Sequence, residues 1–180
     1  MTRQICAQAQ TKAVMNADGT PVPRGELLCA GESATLPPPV IIKPCSEDNS
    51  MGITLVKSEA DLDRALAEAF KFDDKVLVEE FIPLGREFRV GVLEGAKGLR
   101  VLPVIEYHLP SERPIRTSAN KLTEDDRGVM NGFPEVPASC PADIEDELWV
   151  KLEAGAKSAH VALGCQDYRD DVGIEIQANV

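Results

Sequence analysis

Aromatic side chains are scarce in this chain: five Phe, two Tyr and one Trp among 180 residues. Basic residues are outnumbered, 19 Lys and Arg against 30 Asp and Glu, for a formal net charge of -11. A nucleic-acid binder needs a basic footprint and stacking rings, so that class of partner is disfavoured, and any anionic ligand must find a local basic pocket. The five cysteines (Cys6, Cys29, Cys45, Cys140, Cys165) are odd in number, scattered and never spaced C-x-x-C. Neither a disulfide framework nor a zinc ribbon is supported. The two histidines, His108 and His160, lack H-E-x-x-H spacing, so metalloprotease and histidine-activated nucleophile schemes miss their parts. No apolar run approaches the ~20 residues of a membrane helix, and Met1 to Gln10 lacks the apolar stretch of a signal peptide. Cytoplasmic residence, with no membrane partner, is the expectation.

What the chain does contain is a globular composition, 43% hydrophobic and 27% charged, in a length able to bury roughly 70% of its unfolded surface. Residues 1–39 show little apolar periodicity and end in Leu36-Pro37-Pro38-Pro39, which leads into a strand from about Val40. Lys43-Pro44 closes that strand, and the small, turn-forming residues from Cys45 to Gly52 make a loop. Ser58 with Asp61 has the form of a capping box, and Leu62, Leu66, Ala69 and Phe70 share a helical face, which predicts a helix over Glu59 to Phe70. Val76-Leu77-Val78 is a short buried strand. Phe88, Val90 and Val92 alternate with Glu87, Arg89 and Gly91 in a half-exposed one, and Val101 to Tyr107 forms the next. The polar stretch from Pro110 to Pro141 is of the length that is usually functional or disordered. Ile144, Leu148, Leu152, Ala156 and Ala159 predict a helix from Asp143 to about Leu163, and Val172 to Ala178 a last strand. This order fits α+β with antiparallel sheets. The stop at Val180, straight after a strand, leads us to expect a truncated product.

By itself, Lys43 ahead of the Ser46 to Gly52 loop offers a strand-end cation beside backbone N–H groups that could cradle phosphate. The loop is not G-x-x-x-x-G-K-[ST], and an ordinary turn stays open as the alternative for these residues taken alone. The order is more informative: lysine, strand and loop; Val76 to Glu80 ending on two acids; Glu87; Lys121 in a long loop; acids near the last strand. That order resembles an ATP-grasp enzyme of the D-alanine-D-alanine ligase branch. The resemblance runs through Val40-Ile41-Ile42-Lys43-Pro44-Cys45-Ser46-Glu47-Asp48-Asn49-Ser50-Met51-Gly52-Ile53, Val76-Leu77-Val78-Glu79-Glu80-Phe81-Ile82, Gly85-Arg86-Glu87-Phe88 and Ala162-Leu163-Gly164-Cys165.

The resemblance implies an ATP-grasp-like fold with two α+β subdomains, residues 1–80 and 81–180, the second incomplete at its end. Such enzymes clamp Mg-ATP between the subdomains and activate a carboxylate as an acyl phosphate, which an amine then attacks. Carried over, Lys12 and Lys43 meet the phosphates, and Ser46, Ser50 and Met51 belong to a mobile lid. Glu79, Glu80, Phe81 and Ile82 hold adenine, and Glu87 takes the ribose hydroxyls. Lys121 is a further phosphate lysine, Arg169 steadies the transferring phosphate, and Asp171, Gln177 and Asn179 bind Mg2+. Leu122 stands where D-alanine ligases carry tyrosine, and Gln177 where they carry glutamate, after a shortened span from Asp171. The family's N-terminal domain has no counterpart in the sequence. The partners implied are ATP and a small amino or hydroxy acid, with a homodimer compatible. The alternatives are a non-catalytic nucleotide-binding fragment of such a ligase and an acidic interaction module without nucleotide.

Overall fold

The computed structural model describes residues 7–45, 50–83, 85–112, 114–115, 123–124, 130–131, 136–165 and 174–178. The chain divides into two compact units, residues 1–12, 23–82 and 115–135 in the first and residues 13–22, 83–114 and 136–180 in the second. The sequence predicts a single division after residue 80; the units are instead interleaved.

The first unit is built on a four-stranded antiparallel sheet of β1 (Gly25–Cys29), β2 (Val40–Pro44), β3 (Thr54–Val56) and β4 (Lys75–Glu80), in the order β1-β4-β2-β3. Strand β4 is buried from Val76 to Glu79 on both faces of the sheet, which suits its continuous apolar run. Val76 and Val78 of β4, with Val40 and Ile42 of β2, are fully buried against Ala65, Leu66 and Ala69 of helix α2 (Glu59–Ala69). Each large apolar side chain buried there contributes roughly 1.5–3 kcal/mol. The two-residue alternation of a strand sends the intervening Lys43 and Glu79 to the sheet's other face. Helix α2 starts as expected at Ser58, whose Oγ accepts from Ala60 N at 3.3 Å, but Asp61 does not complete a capping box: its carboxylate takes Arg64 at 2.5 Å.

Three elements of the first half have no counterpart in the sequence-based expectation. Helix α1 (Ala7–Ala17) reads AQAQTKAVMNA, rich in helix-forming Ala and Gln but without an apolar stripe to announce it. Strands β1 and β3 are short, and β1 buries only Leu28 fully.

The second unit carries a four-stranded antiparallel sheet of β5 (Arg86–Val90), β8 (Ile105–Tyr107), β11 (Ala138–Ser139) and β12 (Ile174–Ala178), in the order β11-β8-β5-β12. Between β5 and β8 lies a hairpin of β6 (Val92–Gly95) and β7 (Gly98–Val101). The single strand expected over Val101 to Tyr107 is thus two, interrupted at Leu102-Pro103-Val104, where proline has no N–H for a ladder. Helix α3 (Asp146–Ala162) seats Leu152 and Ala156 on Phe88, Val90, Val92 and Val104. In the long polar stretch, within the part of it that belongs to the first unit, β9 (Thr123–Glu124) pairs with β10 (Met130–Asn131). The architecture is α+β with antiparallel sheets, as the sequence predicts. Among the described residues, no helix is long and apolar enough to cross a membrane.

Candidate functional site

Glu79 is the centre of a cluster of charged side chains in the first unit. It sits near the end of the central strand, 2% exposed, and on the face away from α2. In the ladder it lies between Gly25 of β1 and Ile41 of β2. Lys43 pairs with Leu77, one diagonal step away, a separation that a long side chain spans. Its Nζ donates to Glu79 Oε2 at 2.6 Å, while Lys12 Nζ from α1 donates to Glu79 Oε1. Burial alone would raise the Glu79 carboxyl. The charges of Lys43 and Lys12, with their hydrogen bonds, outweigh that and hold it below the ordinary glutamate range. Two ammonium groups thus meet on one buried carboxylate in a strongly acidic chain.

Room for that carboxylate comes from Gly25. A Cβ on Gly25 would lie 3.1 Å from Glu79 Cγ and 3.2 Å from the Val78 carbonyl oxygen. An isolated glycine in a strand is the signal for such a close approach, but it was hidden because β1 itself has little apolar pattern. The neighbouring acid is used differently. Glu80 Oε1 accepts from Arg24 N at 2.9 Å, and Glu80 N donates to Arg24 O, so this residue fastens the chain entering β1. Phe81 N donates to Pro39 O at 3.1 Å, and both Phe81 and Ile82 are half-buried where the chain leaves β4.

Ser50 and Met51 lie in a turn with Gly52, with Ser50 half-buried and Met51 39% exposed. In the second unit, Glu87 is buried in β5, in register with Tyr107 on one side and Gln177 on the other. Beside it, Arg86 makes a bidentate pair with Glu106, a link the sequence did not announce because its partners belong to separate strands. The hydrogen bond from Arg86 holds Glu106 below the ordinary range against burial, and the same bond raises Arg86. The structure therefore gathers Lys12, Lys43 and Glu79, and diverts Glu80 to a backbone role. Ser46, Lys121, Arg169, Asp171 and Asn179 lie outside the described residues, and of Gln177 only its place in β12 is described.

The family described as D-ala D-ala ligase C-terminus matches residues 13–179. The chain is 33% identical over 150 residues to the D-alanine-D-alanine ligase of Geotalea uraniireducens, covering 79% of this chain and 43% of that protein. Its fold is similar to the VanG D-Ala:D-Ser ligase from Enterococcus faecalis, with TM-score 0.68, 27% identity, and coverage of 89% of this chain and 46% of that one. A D-alanine-D-alanine ligase from Bacillus anthracis complexed with ATP shares the fold at TM-score 0.65 and 18% identity, covering 94% of this chain and 52% of that one. The chain spans about half the length of these relatives.

Proposed function

The chain belongs to the D-Ala-D-Ala ligase C-terminal family and has its ATP-grasp fold, and from that premise we propose that it is the ATP-binding core of an ATP-dependent carboxylate-amine ligase. The convergence of Lys12 and Lys43 on the buried Glu79 carries this reading. An ammonium group offers three donors and no acceptor, which suits nucleotide phosphates, and in this reading Lys12 and Lys43 supply them. The Glu79 oxygens keep acceptor capacity for the amino group of a base. With the N–H groups of Glu80 and Phe81 committed to Arg24 and Pro39, the base edge would be read by the Glu79 carboxylate and the remaining backbone groups from Glu80 to Ile82, with the Phe81 ring as an apolar wall. Glu87 would take the ribose hydroxyls, Ser46, Ser50 and Met51 would cover the phosphates, and Lys121 and Arg169 would add positive charge at the transferring group. This is catalysis by positioning and charge stabilisation: a carboxylate oxygen attacks the γ-phosphorus, ADP leaves, and an amine displaces phosphate from the acyl phosphate.

The resemblance also implies magnesium, which when bound would neutralise phosphate charge. Among the described residues no group of three or more His, Cys, Asp or Glu could hold a metal, and Asp171 and Asn179 lie outside them. Strand β12 presents Gln177 in register with Glu87 and Glu175 in register with Arg89. A hard cation favours charged oxygen, so Gln177, a neutral oxygen at a position where the resemblance implies a carboxylate, would make a weak magnesium ligand. The acceptor is a small amino or hydroxy acid, and Leu122 in place of tyrosine argues against simple carry-over of D-alanine.

Calorimetric titration with Mg-ATP tests the reading. Lys43→Ala should weaken binding about tenfold or more, the worth of a hydrogen bond to a charged group. Unchanged affinity in a folded Lys43→Ala variant removes Lys43 from the site. A second reading, in which it binds nucleotide without ligating, is favoured by Gln177, which stands where the resemblance places a metal-binding glutamate. Binding with no ADP release across a panel of amino and hydroxy acids would select it.

A further inference from the structure

Arg86 opens β5, one residue before Glu87, and faces the α3 side of the sheet: its guanidinium lies 4.9 Å from the centroid of the Phe88 ring, which is buried against α3. Its Nε donates to Glu106 Oε1 and an Nη to Oε2, each at 2.7 Å, and the same Nη donates to the Asp143 carbonyl at 2.5 Å. Glu106 is 8% exposed and stands one residue before Tyr107, the cross-strand neighbour of Glu87. A planar fork held by both carboxylate oxygens fixes direction as well as distance. It ties β5, β8 and the segment entering α3 together beside the row Tyr107, Glu87, Gln177. Strand alternation puts Glu87 on the opposite face from Arg86, so Arg86 acts on that row through the backbone rather than by touching a ligand.

We propose that the Arg86–Glu106 clamp is a positioning device that fixes the Glu87 carboxylate for recognition of the nucleotide's ribose hydroxyls. The proposal rests on the reading that Glu87 meets the ribose, and the test separates the two. Affinities for ATP and 2′,3′-dideoxy-ATP, which lacks both hydroxyls, are measured on the intact chain and its variants. The unmodified protein should favour ATP about tenfold or more, and Glu87→Gln should reduce that preference to about twofold or less. Arg86→Lys keeps the charge but loses the fork, and it should collapse the ATP preference in the same way while leaving dideoxy-ATP affinity unchanged. The exchanged pair Arg86→Glu with Glu106→Arg should restore the preference at least in part, which general loss of packing would not allow. If Glu87→Gln abolishes the preference and a folded Arg86→Lys retains it, the clamp has no positioning role. If Glu87→Gln leaves the preference intact, the ribose reading of Glu87 fails, and the clamp proposal fails with it.

Discussion

At Gly25 a methyl group would sit 3.1 Å from Glu79 Cγ, inside ordinary carbon contact, with the Val78 carbonyl only 3.2 Å away. Neither neighbour is free to yield: the carbonyl belongs to the central strand, and the Glu79 side chain is held at both oxygens by Lys12 and Lys43. Alanine replacing glycine in a strand interior normally stabilises by roughly 0.5–1 kcal/mol. Here Gly25→Ala should instead cost about 1 kcal/mol in urea denaturation and weaken ATP binding severalfold, because the carboxylate must move off its lysines. A stabilised variant with unaltered affinity would show that Gly25 makes no room for the site.

The turn at Ser50 to Gly52 shows the same economy at the level of an element. Ser50 has φ 61° and Gly52 φ 68°, and Ile53 N donates back to Ser50 O at 3.4 Å. Left-handed conformations are uncommon outside glycine and gather at ligand clamps, which accords with this turn's proposed place over the phosphates. Gly52 also packs tightly. A Cβ there would lie 2.7 Å from Pro44 Cγ at the end of β2 and 3.1 Å from Phe72 Cδ2 in the turn before β4. Gly52→Ala therefore meets both a backbone penalty and a steric one, and should lose about 1–3 kcal/mol of stability by thermal or urea denaturation. An unchanged midpoint would mean that the turn relaxes freely against Pro44 and Phe72.

For the molecule as a whole, acid is the condition that should reveal these pairs. Glu79, Glu106 and Glu26 are all held below the ordinary glutamate range: Glu79 by its two lysines against burial, Glu106 chiefly by the Arg86 hydrogen bond, and Glu26, also against burial, by hydrogen bonds from Thr35 and Leu36. A carboxyl whose folded value is depressed binds protons more readily when unfolded. Its contribution is therefore present in full above the unfolded value and lost as pH falls through the folded one. The urea midpoint should hold steady above about pH 5 and fall steeply below about pH 4. Glu79→Gln should lower stability near neutrality, since two half-buried lysines lose their counter-charge, and should flatten the acid limb. An acid limb as steep as the parent's would mean that Glu79 titrates alike in the folded and unfolded chain.

Much of this was written locally. The alternation of Val40, Ile42, Val76 and Val78, the apolar face of α2 and that of α3 determined which elements form, because strand and helix periods are carried by neighbouring residues. The order of lysine, loop, paired acids and Glu87 likewise marks the ligase family in the sequence itself. Helix α1 and strands β1 and β3 escaped, since Ala-rich and three- to five-residue segments take their place from what they pack on rather than from their own pattern. Only the tertiary structure decided which of two adjacent acids meets the lysines. Strand alternation requires Glu79 and Glu80 to face opposite ways, but which face α2 covers, and that Lys12 arrives from far along the chain on the other, depends on packing. The same holds for Arg86 and Glu106: their fork exists because β5 and β8 pair in one register, a contact that no local spacing in the sequence encodes.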